Sequence, residues 1–301
     1  MSLQQSKYAA IDIGSNAVRL LICDVFDRAD REQPHIKKTS LIRVPIRLGQ
    51  DVFVKGKIGK RNLDRLTEAM QAYSLLMRTH GVTAYRAYAT SAMREAGNGS
   101  AVTEHIHDHT GIKIEIIDGK HEAAIIAMTN LNALVRSKQN FLYVDVGGGS
   151  TEFTLFKNGE NVSSKSFKLG TVRLLNGVVD ESLWDQAQTW IEDQTKDLDK
   201  VAVIGSGGNI NTIFKRSGKR DGKPLSYFYL LSYYEMLQGY SYEERILELQ
   251  LNPDRADVII PACRIYLRAM KWAGADDLFV PKIGLSDGII KSIYNDRNLS
   301  R

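Results

Sequence analysis

"VDVGGGSTEF", residues 144–153, sets three glycines between two apolar runs. It closes the apolar run Phe141–Val146, which reads as a strand, and opens Thr151–Lys157, which reads as a second one. Three consecutive glycines weaken a strand interior, so they belong to the turn between the two runs. Glycine lets such a turn adopt positive φ and leaves its backbone N–H groups uncovered. Clustered N–H groups form anion-binding concavities, for which phosphate is a natural guest. Asp145 stands at the end of the first run, where a carboxylate is costly without a partner.

The same pattern occurs earlier. "AIDIGSNAVRLLI" (10–22) and "YVDVGGGSTEFTL" (143–155) share apolar-Asp-apolar-Gly, small residues and a second apolar run, with Asp12 and Asp145 standing 133 positions apart. The surroundings repeat as well. Lys7–Gly14, Ala17–Val25 and His35–Val44 read as strands, Leu63–His80 as a helix capped by Asn62 and ended by Gly81, Val82–Ala89 as a strand, Val102–His109 as a helix, Ile112–Ile117 as a strand and Glu122–Val135 as a helix. The second half reads in the same order: strands at Phe141–Val146, Thr151–Lys157 and Ser163–Lys168, a helix at Leu183–Leu198, a buried strand at Val201–Ile204 and a helix at Asn209–Arg216. Ser232–Trp272 is largely helical, Leu278–Val280 is a short strand and Leu285–Tyr294 a closing helix. Two such units imply a duplicated α/β protein with mixed sheets and a cleft between the halves. We place domains at 1–122 and 123–301, with the boundary near Asp118–Ala124 and the polar loop Ser137–Asn140 as a second candidate.

A third glycine cluster, "IGSGGN" (204–209), lies between a strand and a helix, where a helix N-terminus adds its dipole and free donors. Three such loops suit one polyanionic ligand. Asp12 and Asp145 would then face phosphates, so a divalent cation is expected between them, and Mg²⁺ suits oxygen donors.

Bulk properties agree. The 301 residues are 43% hydrophobic and carry a formal charge of +5, which tilts towards an anionic partner. No apolar run approaches the roughly 20 residues of a membrane span. The first ten residues lack the apolar core of a secretory signal, so a cytoplasmic location is expected. Two cysteines, Cys23 and Cys263, without metal-ligand spacing read as free thiols. Nucleic acid is not an expected partner, because basic residues are not interleaved with stacking aromatics.

These motifs resemble the exopolyphosphatase / guanosine pentaphosphate phosphohydrolase (Ppx/GppA) family of the actin–hexokinase–chaperone superfamily, in its short two-domain form. "AIDIGSNAVRLLI" resembles its first phosphate loop, "YATSAMREAGN" (88–98) its Thr-Ser-Ala-x-Arg segment, "IEIIDGKHEA" (114–123) the segment with its catalytic glutamate, "YVDVGGGSTEF" its second phosphate loop, and "NPDRADVIIPA" (252–262) the start of a late helix. The resemblance implies an actin-like (ribonuclease H-like) fold and hydrolysis of a terminal phosphoryl group from inorganic polyphosphate or guanosine pentaphosphate. It assigns Glu122 and Arg94 to catalysis. Phosphate contacts fall to Ser15, Asn16, Gly147, Gly148, Gly149 and Ser150, joined by Gly207 and Gly208 of the third loop. Mg²⁺ or another divalent cation falls to Asp145, Glu152 and Asp12. The family's paired glutamates followed by Ala-Arg are here His121-Glu122-Ala123-Ala124, so the base is retained and the arginine is not.

Plainer readings stand beside these. Glu122 also reads as a first-turn helix carboxylate, Arg94 as a solvated arginine, and Glu152 as a strand residue facing water. "EHIHDHT" (104–110) places His105 and His109 on one helix face without a carboxylate or cysteine at zinc spacing. "KRSGKRDGK" (215–223) reads as a solvated loop or as a basic guide for a long polyanion. Rival functions are a guanosine pentaphosphate 5′-phosphohydrolase, a catalytically weak alarmone-binding regulator of the stringent response, and a kinase of the same superfamily. Homodimerisation is left open.

Overall fold

The computed structural model describes residues 4–27, 33–129 and 139–299, with the side chains of 127, 298 and 299 outside the description. The chain divides into two compact units, one made of residues 1–129 with 284–301 and the other of 130–283.

The first unit is built on a five-stranded mixed sheet in the order β3-β2-β1-β4-β5. Its strands are β1 (Gln4–Ile13), β2 (Val18–Asp27), β3 (His35–Val44), β4 (Ala84–Ala89) and β5 (Ile114–Ile116). β1, β2 and β3 run antiparallel, while β4 and β5 join β1 in parallel. The C-terminal two-thirds of β1, Tyr8–Ile13, is buried throughout, as a central strand covered on both faces must be. β3 lies at the edge, and its Lys37, Lys38 and Thr39 are exposed. Ile11, Ile13, Leu20 and Ile22 of the sheet pack with Met70, Tyr73 and Ile106 of the helices.

The second unit repeats this plan with one added strand. Its order is β10-β11-β9-β6-β7-β8. The strands are β6 (Asn140–Val146), β7 (Thr151–Lys157), β8 (Glu160–Phe167), β9 (Val201–Ser206), β10 (Leu225–Ser226) and β11 (Asp277–Phe279). β6, β7 and β8 are antiparallel, and β9 and β11 are parallel to β6. These are the pairings of β1, β2, β3, β4 and β5, so the duplication read from two Asp-x-Gly turns extends to every central strand.

Several elements differ from the sequence reading. Helices Leu48–Lys55, Ser91–Glu95 and Thr171–Leu175, of eight, five and five residues, are too short for the sequence to announce and were not expected. The long helix starts at Lys60, after Gly59. Asn62 is therefore inside it and donates from Nδ2 to Asp51 Oδ2 at 2.8 Å. Asp51, in the preceding helix, also accepts the Gly59 N–H at 3.1 Å and so anchors the entry to the long helix without capping its first turn. The expected helix Glu122–Val135 is Gly119–Ala127, and residues 130–135 lie outside the described residues, as do residues 137 and 138 of the second candidate boundary.

The closing helix, Leu285–Leu299, belongs to the first unit and not to the second, where the sequence reading put it. It packs on β1, β2, β4 and the helix Gly119–Ala127. Its buried Ile289, Ile290 and Ile293 provide the apolar face. Gly288 permits the approach, since a Cβ there would stand 2.2 Å from the Ile125 carbonyl oxygen. Arg86 donates to Ser292 Oγ at 2.9 Å and pairs with Asp296, and Arg297 donates to the Thr83 carbonyl at 2.9 Å. Hydrophobic period announces a helix with an apolar stripe. It does not say which sheet the stripe will cover.

Candidate active site

In each unit the chemistry-bearing loops follow the C-terminal ends of parallel strands, the edge at which α/β sheets bind ligands. In the first unit Ile13, Ala89 and Ile116 are in register across β1, β4 and β5. Gly14, Thr90 and Ile117 therefore leave the sheet side by side. In the second, Asp145 pairs with Ser206, so Gly147 and Gly207 leave it together.

The two hairpin turns are closed alike. Gly14 N–H donates to the Ala17 carbonyl at 3.1 Å, and Gly147 N–H donates to the Ser150 carbonyl at 2.9 Å. In both, the loop carbonyls are taken by the segment after the third strand. The Ser15 carbonyl accepts from Gly49 N–H at 2.8 Å and the Asn16 carbonyl from Arg47 N–H at 3.0 Å. The Gly147 and Gly148 carbonyls accept from the N–H groups of Thr171 at 3.0 Å and Val172 at 2.8 Å. Gly170 is needed for this contact, because a Cβ there would lie 2.3 Å from the Gly148 oxygen.

The turns differ in charge. Asp12 faces Arg19 across β1 and β2, and Arg19 Nη1 donates to Asp12 Oδ2 at 2.7 Å. At the matching place Asp145 faces Glu152. Glu152 is 5% exposed, and its Oε1 accepts from Ser150 Oγ at 2.6 Å and Ser166 Oγ at 2.8 Å. Glu152 is thus buried and held by hydroxyls, not turned to water.

The first unit also joins its turn to the Arg94 segment and to Glu122. Ser15 Oγ and Ser91 Oγ lie 2.9 Å apart in a buried hydrogen bond. Three residues on, Arg94 Nη1 donates to the Ile117 carbonyl at 2.6 Å. Asp118 follows and caps the helix Gly119–Ala127, accepting the His121 N–H on Oδ1 at 2.7 Å. That donation is the main reason its carboxyl titrates below the ordinary aspartate range. Glu122 falls in the first turn of this helix, partly exposed. Arg94 is therefore tied into the loop that carries Glu122 and is not a freely solvated side chain.

In the third loop Gly207 has φ 115°, a conformation open to glycine at little cost. A Cβ there would also stand 2.9 Å from the Val146 carbonyl oxygen. Arg255 covers the next residue: a Cβ on Gly208 would lie 2.3 Å from its Nη1, which donates to Asn209 Oδ1 at 3.4 Å. The loop opens the helix Gly208–Arg216, as expected. Arg19, Ser166, Arg255 and Arg173, whose Nε donates to the Gly149 carbonyl at 2.7 Å, were not expected at the turns. Arg255 lies inside the segment 252–262 and Arg19 inside the first turn motif, but nothing in the sequence marks Ser166 or Arg173.

Among the described residues no three His, Cys, Asp or Glu side chains gather as a metal-holding group. Mg²⁺ commonly keeps waters and takes only one or two protein carboxylates beside substrate phosphates. Asp145 and Glu152, neighbours on one hairpin, fit that mode. Asp12 fits it poorly, since Arg19 already neutralises it. His105 and His109 lie with ring centroids 3.9 Å apart and planes tilted by 30°, and His109 Nδ1 lies 2.7 Å from the His105 carbonyl oxygen. In the basic loop Lys219 bonds the Pro224 carbonyl and Asp221 pairs with Lys282 at 2.5 Å.

Twin mixed sheets, each with a glycine turn at the C-terminal end of its central parallel strand, define a duplicated actin-like fold. The chain belongs to the Ppx/GppA phosphatase family, whose model matches residues 29–296. A bifunctional 3-dehydroquinate synthase/phosphatase from Fusobacterium nucleatum is 28% identical over 95% of this chain and 46% of its own length. Exopolyphosphatase 1 of Mycobacterium leprae is 26% identical over 66% of this chain and 53% of its own length. The chain thus spans about half the length of these two relatives. Exopolyphosphatase 2 of Mycobacterium tuberculosis is 27% identical over 96% of this chain and 98% of its own. Among solved structures, an exopolyphosphatase from Cytophaga hutchinsonii superposes with a TM-score of 0.82 at 21% identity, covering 97% of this chain and 98% of that one. The Aquifex aeolicus family member gives 0.76 at 23%, covering 98% and 99%. Both speak to the fold.

Proposed function

We propose that this chain is a phosphoric-anhydride hydrolase that removes the terminal phosphoryl group of inorganic polyphosphate. The observation that carries the reading is the capped glycine turn 147–149. Residues 171–172 hold its Gly147 and Gly148 carbonyls, which turns the N–H groups of Gly148 and Gly149 the other way, where a phosphate can take them. The near end-to-end match to a mycobacterial exopolyphosphatase supports polyphosphate as the substrate.

Phosphoryl transfer needs positioning and charge neutralisation more than covalent help. In the proposed reaction Glu122 orients a water and takes its proton as the water oxygen bonds to the terminal phosphorus. The bond to the bridging oxygen breaks, and the shortened chain leaves with the electron pair. Ser15, Asn16, Gly148, Gly149, Ser150, Gly207 and Gly208 bind phosphoryl oxygens, while Gly147, expected among them, spends its N–H on closing the turn; Arg94 holds the segment before the helix of Glu122 and adds positive charge. Asp145 and Glu152 would hold Mg²⁺, which supplies neutralisation of the phosphoryl oxygens when bound. Orthophosphate release from long-chain polyphosphate tests the reading. Preferential release from guanosine pentaphosphate would replace the substrate, and tight alarmone binding without turnover would replace the enzyme with a regulator.

A further inference from the structure

The carbonyls of the glycine turn are held by backbone donors with one exception. The Gly149 carbonyl accepts from Arg173 Nε at 2.7 Å. Its counterpart, the Asn16 carbonyl, is held by a backbone N–H, that of Arg47. Arg173 is 8% exposed, which is rare for an arginine and costly unless its donors are used. It sits in the helix Thr171–Leu175, whose first residues hold the two preceding carbonyls.

A trans peptide is planar, with its C=O and N–H pointing opposite ways. Holding the carbonyls of Gly147, Gly148 and Gly149 on the side of residues 171–173 therefore turns the N–H groups of Gly148, Gly149 and Ser150 to the other side. Among the described residues none of these three N–H groups donates to a backbone carbonyl. Glycine resists none of the alternative orientations of its peptide planes, so the alignment must come from outside the turn. Two of the three planes are set by the backbone and the third by one side chain.

We infer that Arg173 is a positioning residue for phosphate recognition: its guanidinium fixes the Gly149–Ser150 peptide so that the Ser150 N–H joins those of Gly148 and Gly149 in one anion-binding row. The inference rests on the proposed phosphate role of this turn. It deepens that role by naming the group on which the third donor depends. Arg173 acts on the side of the turn opposite the ligand, so its loss weakens binding of phosphate chains without removing the attacking water or its base.

The test uses the full chain with Arg173→Met, Arg173→Lys and the control Arg264→Met, whose arginine lies over the Trp184 ring elsewhere in the same unit. Amide resonances of Gly148, Gly149 and Ser150 are followed without ligand and during titration with inorganic pyrophosphate, and kcat and KM are measured on tripolyphosphate. For Arg173→Met the Ser150 amide should shift in the ligand-free protein, and KM should rise about tenfold with kcat changed far less. Arg173→Lys should recover part of the loss, and Arg264→Met should match the wild type. A folded Arg173→Met protein with unchanged Ser150 amide and unchanged KM overturns the inference. If that variant does not fold, the same two readouts on Arg173→Lys decide it. If the wild type hydrolyses no polyphosphate, the proposed function fails, while the amide shifts and pyrophosphate titration still decide the role of Arg173.

Discussion

Arg94 Nη1 donates to the carbonyl oxygen of Ile117 at 2.6 Å, one residue before the aspartate that caps the helix of Glu122. The guanidinium proposed to add positive charge is thus also tied to the segment that leads into the helix of the proposed base. Arg94→Met removes a charge-assisted hydrogen bond, a change of roughly 1.5–3 kcal/mol. It should lower both the thermal midpoint and kcat. Arg94→Lys should recover stability better than turnover, because an ammonium cannot present the same planar fork. Thermal melts beside phosphate-release kinetics check this.

The charge inversion between the two turns predicts unequal metal dependence. Asp145→Asn and Glu152→Gln should raise the Mg²⁺ concentration needed for half-maximal phosphate release. Asp12→Asn should change it much less, since Asp12 is already paired with Arg19. Mg²⁺ titrations of the three variants measure it, and an equal shift for Asp12→Asn would restore that residue to the metal.

Gly207→Ala places a side chain at φ 115° and 2.9 Å from the Val146 carbonyl oxygen. The strained backbone alone costs about 1–3 kcal/mol. Denaturant unfolding should show a loss of at least that size. A neutral result would mean that the third loop relaxes freely.

Cys23 and Cys263 are each pushed up to about 12 by burial. Both are therefore neutral thiols at pH 8, and neither should react with a thiol reagent until the chain unfolds. The sign of the linkage follows from the raised values. The stability they contribute is complete below the ordinary value of 9.0 and is lost as pH rises from there towards about 12. Thiol titration of native and denatured protein, with melts between pH 8 and 11, tests both statements.

The hairpins were legible because their information is local. Asp-x-Gly between two apolar runs specifies a turn whatever surrounds it, and two copies specify a duplication. Arg173 was not legible, because its role depends on a carbonyl 24 residues away that only the folded turn presents. The closing helix was misassigned for a related reason. Ile289, Ile290 and Ile293 announce an apolar stripe, but its fit to the first unit depends on Gly288 meeting Ile125. Leu48–Lys55 and Thr171–Leu175 follow edge strands and hold turn carbonyls, so tertiary hydrogen bonds select them more than helical period does.

Glu122 is proposed to drive water into a terminal phosphoryl group, and Glu122→Gln removes that base while keeping the side chain's shape. Orthophosphate release from long-chain polyphosphate should fall about 10²–10⁴-fold, the range of a lost general base, with an unchanged melt and little change in KM. A folded Glu122→Gln protein that turns over at the wild-type rate would rule out Glu122 as the base.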